Sequence, residues 1–345
     1  MAFSSSGMNS QNTADGKSST ELFTFDNGDV TIQVTYHGEA IMGTVFSTAM
    51  ATASSVWKKF IYPPWAQTPQ NPDSVNQVRI PPKPALCAPP IDKLDFREDD
   101  GDALLVLLRI AHLQFKHITS RPDAALFHGV LELCDLYDCV ELIKPWIGDW
   151  MIKNPCYGRR VDPRWLFSSW ILGMPDKFEI AARSIVLAID ADGEMVRDGM
   201  RFSLKAGNVP PDIVGGIFKA RKTVVKAVIG VIQQWVEEFT SDEDTQCFCV
   251  YLNRHCDAVI LGNIIREVVA IGIWPKRSPS RCTESVDDLV GRFSSLGGYS
   301  YHKTCIAGLR RTLPHAYEIP KLTQDSHRRH MEIQAVTIIG QSQAT

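Results

Sequence analysis

The sequence predicts an α+β chain, a small strand-and-helix domain followed by an all-helical region. Three observations carry this. Val30, Ile32 and Val34 alternate with Thr31, Gln33 and Thr35, the period of a half-buried strand, and a helical pair follows closely. A proline-rich stretch over 63–90 then interrupts the pattern. From Asp162 onward, apolar residues recur at helical steps.

Met1–Thr20 is rich in Ser, Asn, Gly and Gln and has almost no bulky apolar side chain. Such a segment buries too little surface to offset its ordering entropy, so a disordered tail is expected over 1–20. Structure is expected from about Glu21. Asp29–Tyr36 reads as a strand, and His37-Gly38-Glu39 as a turn for which Gly38 supplies the permissive backbone. Ala40–Phe46 reads as the return strand. The stretch through Ala51 to Phe60 is helical, with Ser54 placed to begin a second helix.

Prolines at the density found over 63–90 exclude helix and central strand, so this stretch is expected to be a long loop inserted in the first domain. Leu94-Asp-Phe96 then makes a short strand. Asp99, Asp100 and Asp102 sit at the positive end of the Leu-rich helix that follows. Two further helices are expected over Ala124–Tyr137, with Leu126, Val130, Leu133 and Cys134 on one face, and over Val140–Ile152, interrupted at Pro145.

Beyond Asp162, Trp165–Leu172 and Phe178–Ile189 read as helices separated by the stop at Gly173-Met-Pro-Asp176. Pro210-Pro211-Asp212 opens the longest amphipathic element, with Ile213, Ile217, Val224, Val228, Ile232, Trp235 and Phe239 on one stripe. Ala258–Trp274 is one more apolar helix, followed by a loop over Pro275–Cys282. The expected organisation is thus a tail over 1–20, a domain over 21–153 with its insertion at 63–90, a helical domain over 154–320, and a weakly patterned tail over 321–345.

The chain holds 345 residues, 44% of them hydrophobic, enough for sizeable cores in about two domains. Net charge is −3, so no overall basic field draws it to nucleic acid. Charge is uneven: Asp92–Asp102 holds six acids against two bases, and Arg201–Lys226 six bases against Asp212 alone. The basic helix Lys219–Lys226 lacks interleaved aromatics, which favours a solvated face over nucleic-acid contact. No apolar run reaches the ~18 residues a membrane span needs. The N-terminus lacks the basic and apolar regions of a signal peptide, so the nine cysteines are expected to be reduced thiols in an intracellular protein, nuclear or cytoplasmic.

The hairpin running into a helical pair resembles the opening of a BTB/POZ domain. Asp29 matches the acidic residue that opens the family's first strand. Val45, Met50, Ala51 and Ser54 match its "Val-His, Leu-Ala, Ser" pattern, and Phe60 the aromatic closing the second helix. The run Leu133-Cys134-Asp-Leu-Tyr137-Asp-Cys139, then Lys144-Pro-Trp146 and Trp165-Leu-Phe-Ser-Ser-Trp170, is similar to a set of fungal BTB/POZ proteins. There are two departures. Phe46 stands where the family has a His, and Ser47 where some transcription-factor members pair an Arg with the acidic residue matched by Asp29.

The resemblance implies a non-enzymatic protein–protein interaction module. It would form a homodimer through its first domain and capture a protein partner with the helical part. Such proteins serve as cullin-type ubiquitin ligase adaptors or transcriptional scaffolds. The matching dimer-interface residues are Val45, Met50, Ala51, Val56, Trp57 and Phe60, with Trp57 and Phe60 as the aromatic anchors.

Other constellations are weaker. Cys247, Cys249, His302 and Cys305 could supply four soft ligands, and with His255, Cys256 and Cys282 they crowd the C-terminal third. Their spacing is looser than that of paired zinc knuckles, so the reading assigns no metal and no cofactor. The alternative function is a zinc- or nucleic-acid-binding regulator using this cluster and the basic helix. Asp190–Glu194 lacks EF-hand offsets and reads as an acidic turn. Gly298-Tyr-Ser300-Tyr-His302 lacks the closing glycine of a nucleophile elbow. Val214-Gly-Gly-Ile217 lacks the Lys of a phosphate loop. His112 and His117 read as structural histidines. No constellation carries an enzymatic reaction.

Overall fold

The computed structural model describes residues 18–63, 89–153, 164–197, 200–205, 209–210, 212–241, 247, 249–273, 282–295, 302, 305, 312–315 and 317–339. It is a mixed α+β structure that divides into two compact units, Met1–Arg159 and Arg160–Thr345. Most of the expected N-terminal tail and of the proline-rich stretch lies outside the described residues.

The first unit is built on a three-stranded sheet of order β2-β1-β3. Strand β1 (Val30–Tyr36) buries Val30, Ile32, Val34 and Tyr36, the alternate residues of its period-2 pattern. It pairs antiparallel with β2 (Glu39–Val45), Tyr36 opposite Glu39. The two residues between them, His37 (φ 50°) and Gly38 (φ 85°), both adopt left-handed backbone, as a tight two-residue hairpin requires. On its other edge β1 pairs in parallel with β3 (Lys93–Phe96). Parallel pairing needs a crossover connection, and two short helices, α2 (Ser47–Ala53) and α3 (Ser55–Ile61), occupy that connection. The outer edge of β2 is covered by residues 23–25, where the Thr44 N–H donates to Phe23 and its carbonyl accepts from Phe25. That removes an unpaired edge. A one-turn helix, α1 (Ser19–Leu22), starts slightly ahead of the expected Glu21, held by a reciprocal Ser18–Glu21 capping box.

Helix α4 (Gly101–Ala111) is capped by Asp100, whose carboxylate accepts the Ala103 N–H, and is buried nearly all round. Helix α5 (Ala124–Leu136) is capped in the same way by Asp123 and buries Phe127, Val130, Leu131, Leu133 and Cys134. The sequence places an interruption at Pro145. The structure places the break earlier, as a 3₁₀ turn over Val140–Ile143, and Pro145 falls in the first turn of α6 (Lys144–Lys153). A first-turn proline loses no helical hydrogen bond, because that N–H has no intrahelical acceptor.

In the second unit, α7 (Arg164–Ile171) and α8 (Pro175–Ala188) form a hairpin over Gly173, whose φ is +66°. The 28-residue α9 (Ile213–Thr240) buries Ile213, Ile217, Val224, Val228, Ile232 and Trp235, the stripe expected from the sequence, with Phe239 partly buried. Helices α10 (Arg254–Ala270) and α11 (Val286–Ser294) pack on this core.

Two expectations need correction. The helical region is not free of strands: β4 (Glu194–Arg197) and β5 (Met200–Ser203) form a small antiparallel hairpin. It is seeded by Asp190, whose carboxylate accepts the Asp192 and Glu194 N–H groups at 2.8 and 2.9 Å. The segment after Pro320 is not simply a tail, since it holds α12 (Asp325–Ile339). Met331 is fully buried, the His330 ring stacks on Trp170 at 3.8 Å, and buried His327 lies against Phe178. Imidazole packing replaces the aliphatic stripe that usually announces a packed helix. Just ahead of α12, the Glu179 carboxylate on α8 accepts the Leu322 and Thr323 N–H groups. Burial alone would raise the Glu179 pKa, but the bonds from Arg183, Thr323 and Leu322 outweigh it and hold it below the ordinary value.

Among the described residues, no helix is long and apolar enough to cross a membrane.

Candidate functional site

Most of the residues that carry the sequence resemblance lie in the first unit, while Trp165–Trp170 falls on α7 of the second. The Asp29 carboxylate accepts both the Ser47 N–H and the Ser47 hydroxyl at 2.7 Å, fastening the start of α2 to the start of β1. The Asp29 carboxylate is thus met by a neutral serine. Ser54 caps α3: its Oγ accepts the Val56 and Trp57 N–H groups and donates to the Tyr137 carbonyl at 2.5 Å. Tyr137 is the hub. Its ring contacts Trp57, Phe60 and Phe96, and its hydroxyl donates to Asp99 at 2.5 Å. Burial and the Asp99 bond push the Tyr137 phenol far above its ordinary range.

This packing sorts the six expected interface residues. Val45, Met50 and Trp57 are fully buried within their own unit. Trp57 is therefore a core residue and not a surface anchor, because its indole lies on Tyr137 at a centroid distance of 5.4 Å. Ala51 and Val56 are half-buried, and Phe60 is 43% exposed. The exposed wall formed by α2 and α3 is thus narrower than the sequence suggested.

A groove adjoins α2. It is lined by Phe46, Ala49 and Ala53 on one side and by His112, Leu113 and Phe115 on the other. Phe46, Leu113 and Phe115 are all exposed. His112 is locked as the neutral ring: Nδ1 bonds the Leu108 carbonyl at 2.7 Å, and Nε2 accepts the Phe46 N–H at 2.9 Å. Burial lowers its pKa. The structural role expected for this histidine is the one observed.

The basic helix of the second unit is not uniformly solvated. Lys219, Lys222 and Lys226 are exposed, but Arg221 is buried. Its guanidinium donates to the carbonyls of Ile189 (3.0 Å) and Glu284 (2.6 Å), with Thr283 at 3.4 Å. It clamps α9 to the chain segments that follow α8 and precede α11. Nothing in the charge pattern distinguished it from its neighbours.

The C-terminal thiols converge in the same unit. The ligand atoms of Cys249, Cys256, His302 and Cys305 all lie within 4.8 Å of one another. The Cys249 sulfur is 3.4 Å from His302 Nδ1 and 3.5 Å from the Cys305 sulfur. Cys249 sits in the turn before α10. Cys256 sits in the first turn of that helix, where the Asn253 cap accepts its N–H. Burial would raise the Cys249 thiol, but the N–H groups of Asn253 and Tyr251 and the contacts from Cys305 and His302 bring it down to about 7. Cys256, by contrast, is pushed up to about 11 by burial and by its two cysteine neighbours.

The sequence grouping is corrected at one position. Cys247 does not join the cluster, because its thiol donates to the Asp257 carboxylate at 3.0 Å. Cys256 takes its place. The signal for this lay in Asn253, a helix-capping residue that fixes Cys256 in a first turn beside Cys249.

Of the remaining sequence motifs, Val214–Ile217 lies inside α9, and only His302 of the 298–302 segment falls among the described residues. No protein-family model, curated protein or solved structure matches this chain.

Proposed function

We propose that the chain is a non-enzymatic protein–protein interaction module whose first unit is a BTB/POZ-like domain. In this reading the unit self-associates, while the second unit offers a helical surface to a protein partner. The observation that carries the reading is the strand order β2-β1-β3, with the two-helix step α2–α3 lying between the hairpin and a parallel return strand. The Ser54 cap and the Tyr137 hub add support, since both fall on residues that carry the sequence resemblance.

The occupant assigned to the α2–α3 wall is a second copy of the chain. Ala51, Val56 and Phe60 present apolar surface there, and an aromatic anchor is the type of side chain that dominates association energy. Covering such a patch by two-fold symmetry brings Phe60 of each protomer into the same interface. Downstream, a cullin-type ligase adaptor and a transcriptional scaffold both fit a dimeric module of this kind.

Light scattering at micromolar concentration tests the proposal. The expected mass is twice the 38.5 kDa of the chain. Phe60→Asp is expected to weaken the dimer by at least about tenfold, the scale of a lost interface anchor, with an unchanged far-ultraviolet circular dichroism spectrum. A clean single-chain mass for the wild type rejects self-association. Recovery of a cullin with the wild-type protein marks the adaptor role, and dimerisation without it marks the scaffold.

A further inference from the structure

We propose that Cys249, Cys256, His302 and Cys305 bind a single structural zinc ion. The geometry supports this before any metal is added. With Zn–S bonds of about 2.3 Å, the donor atoms of a tetrahedral site stand roughly 3.8 Å apart. Here the four donors lie within 4.8 Å of one another, and two of the edges are 3.4 and 3.5 Å. Three thiols and one imidazole form a soft set that selects zinc over magnesium or calcium. All four positions are filled by protein, which is the pattern of a structural and not a catalytic site.

Two simpler accounts fit less well. Unpaired cysteines are often buried as small hydrophobes, and Cys134 in α5 is such a case. That account gives no reason for an imidazole nitrogen to converge with three sulfurs. A Cys249–Cys305 disulfide is the other account, but at 3.5 Å the sulfurs stand well beyond the ~2.0 Å of a bond. It would also leave Cys256 and His302 unexplained.

The surroundings point the same way. Asp257 holds Cys247 aside, so among the described residues the set closes at four. The ion would tie the turn before α10, the first turn of α10, His302 and Cys305 to one point.

The 345-residue chain, expressed with zinc and desalted, is expected to carry about one zinc per chain. Cys249→Ser and Cys305→Ser are expected to lose it, and Cys247→Ser to keep it. Because a serine variant can fail to fold, cobalt-loaded wild-type protein supplies a second readout. Its visible spectrum is expected to show the intense bands of tetrahedral, thiolate-bound cobalt. The proposal is overturned by zinc far below one per chain after reconstitution, by zinc retained in Cys249→Ser, or by an octahedral cobalt spectrum. It is also overturned if alkylation in denaturant and chelator without reductant leaves Cys249 and Cys305 unmodified, which would mark a disulfide between them.

Discussion

Ser54 shows how much one hydroxyl can hold together. It accepts two N–H groups at the start of α3 and donates to the last carbonyl of the α5 region, at Tyr137. Ser54→Ala removes the cap, worth about 1 kcal/mol, and strips the Tyr137 carbonyl of its buried donor. The expected loss is about 1–3 kcal/mol in chemical denaturation, and Ser54→Thr should recover much of it. The serine was legible as a cap from sequence, but its second bond joins residues 83 apart and was not. His112 supplies a pH test. Its folded pKa lies below the ordinary value near 6.5 because the ring is buried. The unfolded chain therefore takes up the proton first as pH falls. The stabilisation tied to the neutral ring is complete above the unfolded pKa and is lost as pH drops toward the folded one. Unfolding midpoints should decline from pH ~6.5 downward, and His112→Phe should flatten that part of the profile. A profile that is flat there in the wild type contradicts the locked neutral ring. Arg221 marks the opposite limit of sequence reading. One buried guanidinium sits among exposed lysines, and only the carbonyls brought to it by other segments reveal its purpose.

The elements with strong periodicity were readable because each buries a single face. The alternation of β1 and the long stripe of α9 fixed both elements without tertiary information. The hairpin β4–β5 and helix α12 were missed for a shared physical reason, that neighbours stabilise them and their own pattern does not. Asp190 seeds the hairpin through its carboxylate, and α12 is held by the His330 ring stacked on Trp170, by His327 against Phe178 and by close backbone approach at Gly173. A Cβ at Gly173 would collide with the backbone of Met331 and Ala335, and its φ of +66° disfavours any other residue. Gly173→Ala should therefore cost at least about 2 kcal/mol, combining left-handed strain with the lost approach. The specific sign is detachment of α12: limited proteolysis should release the C-terminal segment faster in the variant, with the α9 core still protected. Equal proteolysis of the two proteins would show that α12 does not depend on this contact.

At the scale of the whole molecule, each of the two units carries its own buried core. The front unit was legible in the sequence because its signals are local: a hairpin, a cap and short helices in sequence order. The thiol cluster of the second unit was only half legible, since it draws on residues separated by 56 positions and only the fold decides between Cys247 and Cys256. If that cluster holds zinc, the metal stabilises the second unit alone. Zinc at about a thousand times its dissociation constant adds about 4 kcal/mol. For a unit of this size that amounts to roughly 8–16 °C in melting temperature. Calorimetry of the 345-residue chain should then resolve two transitions, of which a chelator lowers only one. A fragment ending at Arg159 should melt cooperatively and ignore the chelator. A chelator that moves both transitions equally would mean that the two cores unfold as one, and the assignment of docking to the first unit and metal to the second would have to be argued from a single cooperative body.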